Sequence, residues 1–395
     1  MQVIHFIMLI IFIYLSIYVL YNLVLILGHY LISQRTTVLT KHATVFKILV
    51  PAHNEELLLG KLLRSITAQE YPEDLYDVLV IADNCTDQTA KIARQLGVRA
   101  TERKNSKLVG KGFAIKCGLE SLASEHYDAV LIIDADSIVE TRLLKILDEA
   151  IQEGARIIQC YNGLANPDDS WFTRLMDVSR TFGNEILEPA KEKFGLSSHL
   201  MGNGMCFVRD VITKYGWTAF SVGEDWEYYA KLVLTGERVT FSNKARVYHR
   251  ESIDLNQATP QRLRWSSGRF AIAAKYGTRL LFNGMKCKNI LKMDAAMPLL
   301  LPNPSLGISL TIMMFACTMV IPISEYREYF FQGYGLLIIL QFAFFLLGVL
   351  YVKNRKMKLM AILFSPVFLI WKSGLDLLSV AGAGRKYWIR TERKL

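Results

Sequence analysis

The fold is decided by residues 45–69, VFKILVPAHNEELLLGKLLRSITAQ. The β-branched run 45–52 predicts a strand, and leucines that recur at helical spacing up to Ile66 predict a helix over 55–69. The same alternation continues: two further strands are predicted at 77–83 and 128–136, with a helix at 87–97 between them. Strands that alternate with helices indicate an α/β fold with a mostly parallel sheet, which binds ligands beyond the carboxyl ends of its strands.

Composition indicates that part of the chain lies in a membrane. Of the 395 residues, 52% are hydrophobic, and the mean hydropathy is +0.23. Residues 3–28 contain no Asp, Glu, Lys or Arg, and about 20 apolar residues are enough to cross the hydrocarbon core. Because a signal peptide has a cationic start and a shorter apolar run, this segment is predicted to be an uncleaved anchor.

Two further apolar segments, 305–323 and 334–352, are each long enough to span a membrane. The loop after the second, KNRKMK at 353–358, carries four cations, and positively charged loops stay on the cytoplasmic side. We therefore expect a multi-pass protein of the plasma membrane with its α/β domain in the cytoplasm. Residues 359–380 favour an interfacial or re-entrant segment over a fourth span, because a span would place two charged residues at membrane depth.

The predicted organisation has four parts. They are an anchor at 1–32, an α/β domain at 44–280 with an interfacial helix near 260–275, a C-terminal membrane region at 285–380 and a cytoplasmic tail at 381–395. The formal net charge is +10, but the chain has no arginine-rich tract, zinc-ligand spacing or aromatic RNA-binding signature. Nucleic acid is therefore not an expected partner. The cations that flank apolar segments instead indicate membrane lipids as partners.

Two carboxylates, Asp134 and Asp136, follow an apolar run in IIDADS, residues 132–137. In an extended chain, residues two apart share a face, so both carboxylates would point at one ligand. Such a pair repels itself unless a cation joins it, and Mg²⁺ or Mn²⁺ would also hold a diphosphate. A solvated acidic turn is the alternative interpretation.

Three other polar clusters lie at predicted strand ends, and a fourth starts a helix. VPAHNEE (50–56) and IADNCTDQT (81–89) suit turns and helix caps as well as ligand contacts. The lysines and glycines of NSKLVGKGFA (105–114) indicate a loop that faces phosphate. SVGEDWEYYAKL (221–232) starts a helix with two acids, which either cap that helix or include a general base.

The order of VPAHNEE, IADNCTDQT, DAD, GED and QRLRW resembles glycosyltransferase family 2, the inverting nucleotide-sugar enzymes with a GT-A fold. More narrowly, it resembles the membrane-embedded branch of cellulose, hyaluronan and poly-N-acetylglucosamine synthases. The resemblance covers roughly residues 45–270 and the tail segment WIRTER, 388–393. Two positions depart from the pattern: the second motif has a single acid in Ala82-Asp83, and Gly223 replaces the usual Thr before the ED pair.

The resemblance implies a role for each matching residue. Asp225 would be the general base that takes a proton from the acceptor hydroxyl. The nucleotide sugar would be bound by Ala52, Asn54, Glu55, Asp83, Lys111, Asp134, Gln261 and Arg264. The acceptor would be contacted by Asn203, Gly204, Glu224 and Trp265. Mg²⁺ or Mn²⁺ would be held by Asp136, with His249 as a further ligand.

The physical chemistry of QRLRW, residues 261–265, agrees with this assignment. A departing diphosphate gathers negative charge that an arginine fork stabilises, and an indole offers a flat apolar surface to a sugar. A basic amphipathic helix on anionic lipid is a second interpretation, and Arg262 and Arg269 would then face the membrane.

The sequence therefore predicts a metal-dependent inverting glycosyltransferase with a nucleotide-sugar donor, UDP being the expected nucleotide. Its acceptor would be a polysaccharide or a lipid-linked hydroxyl, in the synthesis of exopolysaccharide or cell-surface glycan. One alternative is a single transfer to a lipid acceptor, and another is a nonenzymatic nucleotide-sugar sensor, although a sensor has no need for Asp225. Export proteins or a homo-oligomer would be further partners.

Overall fold

The computed structural model describes residues 2–32, 43–320 and 325–384. Within them, the strands of the sheet are β1 Phe46–Ala52, β2 Tyr76–Asp83, β3 Arg99–Arg103, β4 Ala129–Ile132, β5 Ser137–Val139, β6 Ile157–Leu164, β7 Met205–Val208 and β8 Thr240–His249. The helices that accompany the sheet are α1 Gln2–Leu31, α2 Leu59–Thr67, α3 Thr89–Gln95, α4 Lys111–Ser121, α5 Leu143–Gln152, α6 Trp171–Phe182, α7 Glu188–Lys193, α8 Arg209–Tyr215 and α9 Glu224–Thr235. The helices that follow are α10 Leu255–Ile272, α11 Thr278–Lys286, α12 Ile290–Leu300, α13 Pro304–Val320, α14 Glu325–Val349, α15 Arg355–Ile362 and α16 Ser365–Val380.

The strands form one mixed sheet in the order β3-β2-β1-β4-β7-β6-β8-β5. Strands β3, β2, β1 and β4 run parallel, whereas β7 is antiparallel to both β4 and β6. This sheet confirms the predicted α/β fold. The carboxyl ends of β1, β2 and β4 consequently meet at one edge, where the predicted polar clusters begin.

Both faces of the sheet are buried. Along β1, Ile48 and Val50 enter one apolar core, whereas Leu49 enters the core on the opposite face. This arrangement explains why the strand is a continuous apolar run in the sequence. The next helix starts at Leu59 instead of the predicted residue 55, because the intervening residues form the loop at the strand end.

Two of the described helices are long and apolar enough to cross a membrane, over Val3–Leu31 and Tyr326–Val349. The number rises to four if each of two bent helix pairs forms one span. The pair α12 and α13 bends by 63°, and the pair α15 and α16 bends by 61°. The structure thus suggests two to four spans, against the three predicted, and the predicted orientation stays a prediction.

The predicted segments of the C-terminal region correspond to helices with different ends. The predicted span 305–323 overlaps α13, although residues 321–324 lie outside the described residues, and 334–352 overlaps the longer α14. Segment 359–380 contains a 61° bend, a geometry that suits a re-entrant segment or a broken span. The predicted WIRTER motif also lies outside the described residues.

Ion pairs that involve buried lysines join helices α15 and α12 to the α/β domain. Lys358 of α15 is 1% exposed, and its ammonium group lies 2.9 Å from a carboxylate oxygen of Asp168 and 2.9 Å from one of Asp177. Lys191 of α7 lies 3.2 Å from Asp294 of α12, and both side chains are buried. Because an unpaired charge is costly to bury, these contacts fix how the helices dock onto the domain.

Candidate active site

All but two of the predicted site residues line one cavity of about 630 Å³ at this sheet edge. They are Ala52, Glu55, Asp83, Lys111, Asp134, Asp136, Asn203, Glu224, Asp225, His249, Gln261, Arg264 and Trp265. The chain therefore brings together acids, cations and an indole that are up to 210 positions apart in the sequence, from Glu55 to Trp265 (265 − 55).

Asn54 and Gly204 are the two predicted site residues that are not among the residues lining the cavity, and their contact with a ligand stays a prediction. Asn54 has a φ of 56°, and its side-chain oxygen accepts a hydrogen bond from the backbone N–H of Thr86 at 2.7 Å. Gly204 has a φ of 66°, and a Cβ there would lie only 2.9 Å from Cys160 Cβ. Both residues shape loops that hold the wall in place.

Asp83, at the end of β2, is fixed by a cation that sequence reasoning missed. Arg103 Nη1 donates to Asp83 Oδ1 at 2.5 Å, and Arg103 Nη2 donates to the carbonyl oxygen of Leu108 at 2.6 Å. Arg103 lies opposite Asp83 in the parallel register of β2 and β3. A prediction of β3 and of its register would have found this pair, since an acid and a base at facing strand ends attract each other.

The DAD motif, residues 134–136, forms a turn instead of the extended chain that its spacing predicts. The backbone N–H of Ser137 donates to the Asp134 carbonyl oxygen at 3.1 Å and closes the turn. Asp134 forms an ion pair with Lys111, the first residue of α4. Its backbone N–H donates to Asn203 Oδ1 at 3.0 Å. Both aspartates line the cavity, but the turn and these partners place them there.

Asp136 lies near His249, because its neighbour Ser137 pairs with His249 across β5 and β8. His249 Nδ1 lies 2.9 Å from Asn162 Oδ1, an acceptor that fixes the proton on Nδ1 and leaves the Nε2 lone pair available. Among the described residues, buried His249 Nε2 has no hydrogen-bond partner, and the nearest carboxylate oxygen, on Glu251, is 3.9 Å away.

This pair fits a divalent cation, although with few protein ligands. The part of the chain that the structure describes contains no group of three or more His, Cys, Asp or Glu side chains arranged for a metal ion. A Mg²⁺ or Mn²⁺ ion at Asp136 and His249 would take its remaining ligands from water and a diphosphate, as such ions commonly do at phosphate sites.

Glu224 and Asp225 open helix α9, and both carboxyl groups are buried against the cavity. Burial, followed by the charge of Glu224, raises the pKa of Asp225 to about 7, despite the hydrogen bond from the Trp226 N–H and the nearby Lys111. Burial also raises the pKa of Glu224. A carboxylate with a pKa near neutrality suits a general base.

Helix α10 carries the three predicted residues of QRLRW into the cavity. Burial lowers the pKa of Arg264, although the charges of Glu224, Asp134 and Asp225 oppose this shift. Within the described chain, the buried Oε1 of Gln261 has no hydrogen-bond partner. Arg264 therefore faces the acids of the site, and Gln261 offers an unsatisfied polar group to a ligand.

A contact between two glycines holds α10 against the loop that carries Asp225. A Cβ on Gly223 would lie 3.2 Å from Gly268 backbone atoms, and a Cβ on Gly268 would lie 2.9 Å from the Gly223 nitrogen. This contact explains why Gly223 stands where the related motif has Thr, because a Thr side chain would force the two backbones apart.

We expect Gly268→Ala to reduce turnover by about tenfold or more, because a small displacement of catalytic groups is costly. The added methyl group meets backbone atoms, which cannot move aside as a flexible side chain can. Steady-state kinetics of the purified variant measure the loss. Gly374→Ala is the matched control, since no heavy atom lies within 4 Å of its Cβ position. Equal activity in the two variants would contradict this role of the glycine contact.

Arg262 and Arg269 do not face lipid, which corrects the second interpretation of α10. Arg262 Nη2 donates to Glu251 Oε2 at 2.5 Å. Arg269 Nη2 donates to the carbonyl oxygens of Pro298 and Leu301, at 2.7 Å each. The helix contacts other parts of the protein through these side chains.

The cavity is also lined by helices that include the two candidate membrane spans, α1 and α14. Its wall on this side is mostly apolar and includes Tyr18, Asn22, Met176, Ile308, Phe342, Phe344, Phe345 and Phe368. These residues belong to α1, α6, α13, α14 and α16. One continuous space therefore adjoins both the acidic site and the membrane part of the protein.

Known proteins resemble this chain over its α/β domain. Probable glycosyltransferase YdaM of Bacillus subtilis strain 168 is 23% identical over 239 residues, which are 58% of this chain and 56% of YdaM. Beta-monoglucosyldiacylglycerol synthase of Synechocystis is 25% identical over 228 residues, 56% of this chain and 47% of the synthase. A 4,4'-diaponeurosporenoate glycosyltransferase of Staphylococcus aureus strain N315 is 33% identical over 105 residues, 26% of either protein. The chain thus matches about half the length of the first two relatives.

A solved structure shares the fold over nearly the whole chain. Mannosyltransferase PcManGT from Pyrobaculum calidifontis, in complex with GDP-Man and Mn²⁺, has a TM-score of 0.58 with 18% sequence identity. The alignment covers 94% of this chain and 99% of PcManGT. This likeness shows a GT-A-like mixed sheet with accompanying helices. Residues 42–268, more than half of the chain, match the family described as glycosyltransferase-like family 2. The protein therefore belongs to glycosyltransferase-like family 2.

Proposed function

We propose that the protein is an inverting glycosyltransferase that transfers one sugar from a nucleoside-diphosphate sugar to a hydroxyl group of a membrane lipid. The observation that carries this proposal is the shared cavity, since the same space is lined by the buried acids and by apolar residues of the membrane helices. A lipid acceptor could keep its chains between those helices while its head group approaches Asp225. The names of two relatives, which refer to a diacylglycerol and to diaponeurosporenoate, are consistent with lipid acceptors.

The proposed reaction needs a proton acceptor and a site for the leaving group. The lipid hydroxyl oxygen attacks the anomeric carbon and gives up its proton to Asp225, and the bond between that carbon and the diphosphate oxygen breaks. The electron pair of that bond leaves with the diphosphate, whose charge Arg264 stabilises together with Gln261. A divalent cation held by Asp136 and His249 would supply further neutralisation of that charge. Attack opposite the leaving group inverts the anomeric carbon.

Other residues of the cavity have supporting roles in this proposal. Lys111 and Asp134 form an ion pair beside the donor sugar, and Asp83 and Glu55 contact the nucleoside, for which UDP is the first candidate. Trp265 offers its ring to the acceptor head group. The cation-rich loop after α14 supports a cytoplasmic position of the catalytic domain, because positively charged loops stay on that side of a membrane.

Repeated extension of a polysaccharide is a second candidate function. It is favoured by the match of Gln261, Arg264 and Trp265 to the pattern of cellulose and hyaluronan synthases. The two functions differ in product size, because extension yields long polysaccharide chains whereas single transfer yields a lipid with one sugar.

One experiment tests both functions. The purified protein in lipid vesicles is incubated with radiolabelled nucleotide sugars, UDP-sugars first, together with Mg²⁺ or Mn²⁺. We expect label in the organic extract, with one sugar on each lipid. A size ladder of labelled polysaccharide would favour the second candidate. Nucleotide binding without transfer of any label would overturn the proposal and leave a nonenzymatic sensor.

A further inference from the structure

The cavity contains a cation, Arg180, that neither the sequence motifs nor the proposed reaction explains. Arg180 is near the end of α6, and its side chain, 23% exposed, lines the cavity. The described residues give its guanidinium group no hydrogen bond, and its nearest carboxylate oxygen, Glu251 Oε2, is 3.9 Å away. That oxygen already accepts a hydrogen bond from Arg262 at 2.5 Å. Two guanidinium groups thus share one carboxylate, which leaves one positive charge in excess.

The pKa of Arg180 is consistent with this excess of charge. Burial lowers the pKa of Arg180 to about 10. The attraction of Glu251 opposes this shift, and the repulsion of Arg262 adds to it. A guanidinium group has five N–H donors in a planar fork that matches the oxygens of a phosphate. The two guanidinium groups of Arg180 and Arg262 therefore have one carboxylate between them. A further anion can reach Arg180 through the cavity.

Arg180 lies at the level where a membrane helix ends. The carbonyl oxygen of Val178 is 2.6 Å from the position that a Cβ on Gly348 would take, so α6 touches α14 one residue before α14 ends at Val349. Val178 and Arg180 are two positions apart and point to different sides of α6, the first toward α14 and the second toward the cavity. Lipid head groups begin where the apolar part of a spanning helix ends.

Different carboxylates act on Arg180 and on Arg264. The charges that act on Arg264 are those of Glu224, Asp134 and Asp225, the acids of the donor site. The carboxylate that acts on Arg180 is Glu251 instead. Arg264 is therefore the cation assigned to the leaving diphosphate, and Arg180, which lies near His249, is available to a second anionic group.

We infer that Arg180 binds the phosphate of an acidic phospholipid whose head group carries the hydroxyl that is glycosylated. This inference rests on the proposed function, because it specifies the class of the lipid acceptor. Phosphatidylglycerol is the simplest probe, since it combines a phosphodiester with free hydroxyl groups. Dioctanoylglycerol, which has the hydroxyl without the phosphate, is the matched neutral probe.

Binding to the detergent-solubilised full chain tests the inference without reference to turnover. Dissociation constants for dioctanoyl phosphatidylglycerol and for dioctanoylglycerol are measured by tryptophan fluorescence. We expect the acidic lipid to bind about tenfold more tightly or better, the usual gain from hydrogen bonds to a charged group. Arg180→Met removes this preference, and Arg180→Lys retains part of it. The control Arg174→Met keeps it, since Arg174 donates to the Asp168 carbonyl oxygen at 2.9 Å and lies outside the cavity wall.

The outcomes separate this inference from the proposed function. Equal affinity of the wild type for the two lipids would overturn the inference while leaving transfer to a neutral lipid in place. Weaker binding of UDP by Arg180→Met, with lipid preference unchanged, would also overturn it and assign Arg180 to the donor. A clear preference for the acidic lipid, without label in any lipid extract, would instead count against the proposed function alone.

Discussion

Asp225→Asn is expected to reduce turnover by about 10³-fold, within the usual contribution of a general base. The amide keeps the size and the hydrogen bond of the side chain but cannot take the proton of an acceptor hydroxyl. Nucleotide affinity should stay unchanged, because Asp225 does not contact the leaving diphosphate in the proposed reaction. Single-turnover kinetics and equilibrium binding of UDP measure the two quantities separately. Unchanged turnover would remove the proposed mechanism.

The pH dependence of the wild type provides a further test of Asp225. Its pKa of about 7 in the folded protein means that the base loses its charge as the pH falls below neutrality. The value of kcat/KM should therefore rise with pH through about 7 and then level off. The raised pKa also implies a sign for stability: the protonated form is favoured on folding, so the wild type loses stability as pH rises between about 4, the ordinary carboxyl pKa, and about 7.

Thermal unfolding separates loss of the base from loss of the fold. Asp225→Asn removes a charge that is costly to bury, so the variant should be more stable than the wild type at pH 8 and similar to it near pH 4. An inactive variant with greater stability at pH 8 would locate the defect in the chemistry. A variant that unfolds more readily at every pH would instead attribute the lost activity to the structure.

Lys358→Met should destabilise the protein by about 1–3 kcal/mol, because the half-buried carboxylates of Asp168 and Asp177 lose their buried cation. The ammonium group contacts carboxylates of both Asp168 and Asp177, and it also donates to the Pro167 carbonyl oxygen at 2.7 Å. Without it, burial and mutual repulsion act on both acids. Thermal unfolding in detergent at pH 7.5 measures the loss.

Lys356→Met is the matched control, because it removes an exposed cation from the same helix, α15. Exposed charges contribute little to stability, so this variant should unfold at nearly the wild-type temperature. The difference between the variants should shrink at acid pH, where the partners of Lys358 take up protons. Equal melting temperatures at pH 7.5 would contradict the docking role assigned to Lys358.

Three strands of the sheet, β1, β2 and β4, could be predicted because they are buried on both faces. Such strands are continuous apolar runs, and the polar residues that follow β1, β2 and β4 stand out against them. The local shape at the strand ends could not be predicted in the same way. Spacing alone suggested an extended Asp134–Asp136 segment, whereas a single hydrogen bond from Ser137 converts it into a turn.

Arg180 and Glu251 carried no signal that would have marked them as site residues. A charged residue near a helix end usually faces solvent. That Arg180 points into the cavity depends on how α6 packs against α14, which is a tertiary contact between distant parts of the chain. Glu251 is buried with Arg262 of α10 as its partner, and no periodic pattern in the sequence predicts this contact.

The bend between α12 and α13 shows a limit of counting apolar residues. Hydropathy over 305–323 predicts a span but contains no information on the direction of the helix axis. The two helices are separated by Leu301, Pro302 and Asn303, and their axes differ by 63°. Pro302 lacks the N–H that a continuous helix needs, which is consistent with a break at this point.

Under the proposed function, a donor from water and an acceptor from the lipid bilayer share one cavity, and this has a kinetic consequence. The soluble donor arrives in proportion to its concentration in the cytosol. An acceptor that enters sideways is instead governed by its mole fraction in the leaflet, so inert lipid dilutes it whereas added buffer does not. The enzyme would thereby sense the make-up of the surrounding bilayer and slow down as its own product replaces the starting lipid.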